Sequence, residues 1–194
     1  MPYKQGVTGS RPVICTGIIS IPYINLQKEV IYVFRTGSGK KIEFDAIPAA
    51  LLRFYNAHSN DNVSVIIGTD SQNFSDTKMV SVVAVVAEGH GGIFFYEISH
   101  VDLIQNVHLK LQTETAASLE LAQQLVTALE STDEYADLYK SCPLSIHVDA
   151  GNSDKGKTKA LIPELVGWIR ASGYDVKTKP ESFVASSIAD RISK

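Results

Sequence analysis

Asp70, Glu114, Asp149 and Asp190 are the residues of this chain whose type and spacing suit a shared chemistry. Asp70 closes the apolar run Val-Ile-Ile-Gly-Thr-Asp, and Asp149 closes Ile-His-Val-Asp, so each falls at the exposed end of an expected strand. Glu114 lies early in the stretch that reads as the longest helix, and Asp190 near the C-terminal end of another. An acid beside an apolar strand loses hydration, and its charge then needs compensation. A divalent cation shared by several carboxylates would provide it.

Helical geometry chooses between the two acids of the long helix. At about 100° per residue, Leu121 and Leu125 fall within about 20° of Glu114, whereas Glu120 falls about 120° away, beside Gln124. Glu114 is therefore expected on the stripe that faces the sheet and Glu120 on the solvent side. A Glu on a buried helix face is costly unless it is paired or bound to a cation. Alternation along the strand that ends in Asp149 puts Leu144, Ile146 and Val148 on one side, and Ser145, His147 and Asp149 on the other. Each acid also has an ordinary use: Asp70 and Asp149 as turn residues, Glu114 at a helix start, and Asp190 beside Arg191 or Lys194.

A second chemistry competes for one stretch. Gly151 to Thr158 reads Gly-Asn-Ser-Asp-Lys-Gly-Lys-Thr and satisfies the phosphate-loop pattern G-x-x-x-x-G-K-[ST] between an expected strand and an expected helix. Only 36 residues follow Thr158, and the one strand among them, Tyr174–Lys179, ends in Lys-Pro rather than in a metal-holding Asp. A nucleotide-binding core is hard to complete from that remainder. The loop stays as an alternative reading of residues 151–158.

The elements that must position these residues follow from periodicity. Residues 12–20 and 29–35 read as strands, Thr36 to Gly39 as a turn, Lys41 to Phe44 as a returning strand, and Ala49 to Ala57 as a short helix opened by Pro48. From residue 63 the pattern is a meander of three strands, Val63–Asp70, Lys78–Ala87 and Ile93–Ser99. A helix over 109–129 follows, then a strand over 144–149, a helix over 159–171, the strand Tyr174–Lys179 and a helix over 182–192. This order implies an α/β protein: a mixed five-stranded sheet, antiparallel then parallel, with helices on both faces. An N-terminal β-hairpin and helix extension over 1–60 would precede a main domain over 61–194.

Composition narrows the class. The chain has 194 residues, 44% hydrophobic and 20% charged, within the range of ordinary folded domains. No apolar run reaches the roughly 20 residues needed to span a bilayer, and Met1 to Gly6 lacks the apolar core of a signal peptide. With Cys15 and Cys142 as its two cysteines, the chain is expected in a reducing cytoplasm. The net charge of −3 is unevenly spread: residues 61–150 carry thirteen acids against three Lys/Arg, and both flanks are basic. Such a balance does not suit strong nonspecific nucleic-acid binding, but it suits an acidic centre that holds metal.

The ordered set strand-Asp, helix-Glu, strand-Asp, helix-Asp resembles the ribonuclease H-like superfamily. The strings Gly-Thr-Asp70-Ser-Gln, Leu-Gln-Thr-Glu114-Thr-Ala-Ala-Ser-Leu and Ser-Ser-Ile-Ala-Asp190-Arg carry the likeness. Residues 63–194 are more closely similar to an uncharacterised group of ribonuclease H-like proteins, through Gly-Thr-Asp-Ser-Gln, Gly-Trp-Ile…Ser-Gly-Tyr and Lys-Pro-Glu-Ser-Phe-Val-Ala-Ser-Ser-Ile-Ala-Asp. The resemblance implies a fold of that class and a nuclease that hydrolyses phosphodiester bonds of RNA or DNA. Asp70, Glu114, Asp149 and Asp190 would be the catalytic and metal-holding set for Mg²⁺ or Mn²⁺. Gln72, Asn152, Lys155 and Lys157 would meet the substrate. A relative of the same fold without catalysis, binding nucleic acid or serving assembly, is the other alternative.

Overall fold

The computed structural model describes residues 33–150, 160–182, 187–188 and 191–192, all within the unit Tyr32–Lys194. The strand expected over 12–20, the phosphate-loop motif of 151–158 and Asp190 lie outside the described residues.

The chain forms β1 (Phe34–Thr36), β2 (Lys41–Ile42), α1 (Ile47–Ala57), β3 (Val63–Asn73), β4 (Thr77–Ala87), β5 (Gly91–Val101), α2 (Val107–Glu130), α3 (Ala136–Ser141), β6 (Leu144–Val148), α4 (Ile162–Ala171) and β7 (Asp175–Thr178). The sheet order is β2-β1-β5-β4-β3-β6-β7. β3, β4 and β5 form the expected antiparallel meander, and β6 and β7 join it in parallel. The sheet is mixed as expected, but it has seven strands rather than five. The short hairpin of β1 and β2 extends it, with Arg35 opposite Tyr96 and Thr36 opposite Phe95 on β5.

Apolar side chains on β3 and β4 point both ways, so the sheet is buried on both faces. Val63, Val65, Ile67, Val83 and Val85 pack with Leu51 of α1, Leu121 and Leu125 of α2, Leu138 of α3 and Leu165 of α4. Ile66, Val80, Val82 and Ala84 point to the opposite face, where Ile188 and Ile192 pack on them. Residues 187–188 and 191–192 are helical, so helical chain lies on both faces. Val, Ile and Leu over both faces explain why these strands read as nearly continuous apolar runs.

Two local differences bear on the site. The turn expected over residues 71–77 is narrower: β3 stays paired with β4 to Asn73↔Thr77, so Asp70 lies three residues inside β3 instead of at its end. The reason is that the polar residues Ser71, Gln72 and Asn73 satisfy the ladder as well as apolar ones do. α2 begins at Val107 because the Asn106 side chain accepts from the Leu109 N–H at 3.0 Å, a cap that apolar periodicity does not reveal.

Candidate active site

β3 is hydrogen-bonded to β4 along its full length, but to β6 only from Val65↔Leu144 to Ile67↔Ile146. Beyond that the two parallel strands part. Continuing their register sets Asp70 level with Asp149, three residues past the last pair. Alternation places both acids on the face of Ile66, since Ile146 and Val148 belong to the opposite core. An opening between parallel strands at their C-terminal ends is where α/β sheets commonly receive ligands.

Glu114 comes from the other face. It lies on α2 among the residues turned to the sheet and is only 6% exposed, whereas Glu120 is exposed, as helical phasing requires. Ser71, one residue past Asp70, points back toward α2. Its Oγ donates to Glu114 Oε1 at 2.6 Å, and its backbone N–H donates to Asp70 Oδ1 at 2.8 Å. Acids from the two sheet faces thus meet where the strands have separated. Burial is the main reason the Glu114 carboxyl is pushed up to about 7; the Ser71 hydrogen bond opposes it, Asp70 adds to it, Lys110 opposes it and Asp149 adds to it. Those influences place the Asp70 and Asp149 charges near Glu114.

Two lysines border the cluster. Lys110, in the first turn of α2, donates to the Ser71 carbonyl at 2.7 Å. Lys179, just past β7, holds its ammonium 2.5 Å from Asp149 Oδ1. Beneath the acids, the Ser118 hydroxyl lies 3.0 Å from both Thr69 Oγ1 and the Glu114 carbonyl, and Thr69 Oγ1 lies 3.0 Å from Ser81 Oγ. This buried polar layer locks the α2 turn that carries Glu114 against β3 and β4.

The described candidates thus divide. Asp70, Glu114 and Asp149 converge, and Gln72 is exposed on the same strand end. Asn152, Lys155, Lys157 and Asp190 lie outside the described residues. Among the described residues, no three His, Cys, Asp or Glu side chains stand close enough to hold one metal ion. The histidines have other surroundings: His100 meets Asp76 at 2.8 Å, His108 meets Glu164 at 3.2 Å, and His147 is buried, its imidazole lowered to about 4 mainly by that burial and further by Lys177.

Sequence reading missed Ser71 as a tether, both lysines, and Glu97. Glu97 on β5 is 8% exposed, and its carboxyl is pushed up to about 7, chiefly by burial and further by Glu120. Strand alternation carried the signal for Glu97, because it shares a side of β5 with Ile93 and Phe95. Lys179 carried none, because its partner lies on a different strand.

A mixed sheet of this order, an antiparallel meander joined by two parallel strands with helices on both faces, has the architecture of the ribonuclease H-like class. The family model described as Ribonuclease H-like matches residues 47–194, and the chain belongs to that family. It is 31% identical over 174 residues to "Uncharacterized protein YkuK" of Bacillus subtilis (strain 168), a match that covers 84% of this chain and 98% of that protein. No solved structure matches it. No helix among the described residues is long and apolar enough to cross a membrane.

Proposed function

We propose that this protein is a Mg²⁺- or Mn²⁺-dependent hydrolase of phosphodiester bonds in RNA or DNA. Asp70, Glu114, Asp149 and Asp190 are its metal-holding acids; Gln72, Asn152, Lys155 and Lys157 are its substrate contacts. The observation that carries this reading is the convergence of three carboxylates from two strands and a helix, with Glu114 pushed up to about 7 by burial and by the neighbouring acids. Negative charge gathered in a partly dry opening fits a divalent cation in kind: the donors are hard oxygens, and a cation would relieve the cost that Glu114 bears.

Held by Asp70, Glu114, Asp149 and Asp190, such a cation would supply the charge that makes a water nucleophilic and steadies the leaving oxygen of a phosphodiester. The chain's own residues do the rest. Ser71 orients Glu114 through its hydroxyl and Asp70 through its backbone N–H. The Thr69–Ser81–Ser118 layer keeps α2 in register with β3. Burial makes the Glu114 carboxyl reluctant to ionise, and positive charge placed beside it would favour the carboxylate.

One observation favours the second reading, a relative of this fold without catalysis: the described acids are not gathered to ligating distance, and Asp149 is already paired with Lys179. Cleavage of RNA, DNA and hybrid substrates, with Mg²⁺ or Mn²⁺ and with chelator, separates the two. Under the hydrolase reading cleavage requires the cation and falls by two orders of magnitude or more (roughly 10²-fold) in Asp70→Asn and Asp149→Asn. Cleavage that survives both substitutions sinks it.

A further inference from the structure

Lys179 is placed by the sheet, not by chance. The β6–β7 ladder ends at Val148↔Thr178, so the next residues, Asp149 and Lys179, stand level. The Lys179 N–H donates to the Ala150 carbonyl at 3.2 Å, which carries the strand contact one step past the ladder. The turn that follows is pinned as well: the N–H groups of Glu181 and Ser182 donate to the Thr178 carbonyl at 2.9 and 3.1 Å, and Ser182 Oγ donates to the Val148 carbonyl at 2.8 Å. Backbone geometry thus aims the lysine stem at Asp149. The carboxylate side chain is 17% exposed and the lysine side chain 48%, so the acid is held and the cation can leave.

We propose that Lys179 is a tethered counter-ion that occupies Asp149 when no divalent cation is present and competes with that cation for it. The inference rests on reading the carboxylates as a cation site. A lysine ammonium is a compact point charge on a flexible four-carbon stem, able to neutralise a carboxylate and then swing into water. A divalent cation that shares Asp149 must displace the ammonium or lie beside it, and like charges a few ångströms apart in a partly dry site repel strongly. Lys179 therefore lowers cation affinity and spares the empty site an uncompensated carboxylate.

The test is calorimetric titration of Mn²⁺ alone into the full chain and into Lys179→Met and Lys179→Arg, with thermal unfolding as the check on folding. Lys179→Met keeps most of the stem packing and removes the charge, and it is expected to bind Mn²⁺ about tenfold more tightly, while Lys179→Arg stays near the parent. The gain from Lys179→Met must also vanish in an Asp149→Asn background, because the competition acts through that carboxylate. Unchanged or weaker Mn²⁺ binding by a folded Lys179→Met protein overturns the counter-ion role alone. Absence of Mn²⁺ binding by both the parent and Lys179→Met overturns the cation-site reading and this role with it.

Discussion

Ser71 Oγ stands 2.6 Å from Glu114 Oε1 and joins a strand of one layer to the buried acid of another. Its hydrogen bond is the main influence that opposes the effect of burial on Glu114. Removing it in Ser71→Ala leaves a buried carboxylate with less compensation and pushes its pKa up further, so the group ionises less readily. We expect a loss of about 1–3 kcal/mol at pH 8, where Glu114 is mainly charged, and a smaller loss at pH 5, where it is protonated. Urea unfolding at the two pH values measures the difference; equal losses would show that the hydroxyl matters only for packing.

Glu97 offers a pH test away from the acids of the opening. Its carboxyl is raised from 4.5 to about 7, so the folded chain holds this proton more tightly than the unfolded one. The resulting stabilisation is complete below pH 4.5 and is lost as pH rises through 7. Glu97→Gln, a neutral mimic, should therefore be more stable than the parent at pH 8, by up to about 3 kcal/mol, and nearly equal to it at pH 4. Thermal or urea denaturation across that range reads it directly. A substitution that destabilises at every pH would assign Glu97 a packing role instead.

Cation binding should register in stability as well as in cleavage. A ligand that binds only the folded chain stabilises it by about 2.7 kcal/mol at one hundred times its dissociation constant. Mg²⁺ or Mn²⁺ should therefore raise the melting temperature of the parent, and the rise should be lost in Glu114→Gln and Asp149→Asn. A rise of equal size in all three proteins would place the bound ions elsewhere.

The β4–β5 pair makes a prediction of its own. A Cβ at Gly92 would collide with the Val85 carbonyl oxygen, which belongs to backbone in the middle of the sheet. Gly92→Ala should cost about 1–3 kcal/mol through displacement of the ladder, visible as a lower urea midpoint with an unchanged slope. No such cost is expected for Gly167→Ala, where nothing lies within 4 Å of the added carbon.

Helical and strand periods made part of this arrangement legible. Glu114 is distinguished from Glu120 because a helix repeats at a known angle, and the apolar stripe below Glu114 tells which side is in. Asp149 is found with Ser145 and His147 for the analogous reason in a strand. Asp70 was read to the right strand but placed at its end, because polarity at Ser71 to Asn73 looks like a turn while the ladder to β4 continues. What periodicity cannot supply is a relation between elements. The contact of Lys179 with Asp149 depends on the register of β6 against β7, and the Ser71 tether depends on how α2 crosses β3. The hairpin of β1 and β2 was legible as a hairpin; its attachment to β5 was not, since two residue pairs leave little pattern.

The sheet ends, in its order of strands, on β2 with two residues and β7 with four. Each of these borders also carries a lysine, Lys41 on β2 and Lys177 on β7. A long, flat, uncharged border invites another chain to add a strand, whereas short and charged ones do not. With Val-rich β3 and β4 held at the centre, the segments most prone to self-association are those the fold keeps farthest from its margins. The two terminal strands therefore offer another copy little backbone to pair with.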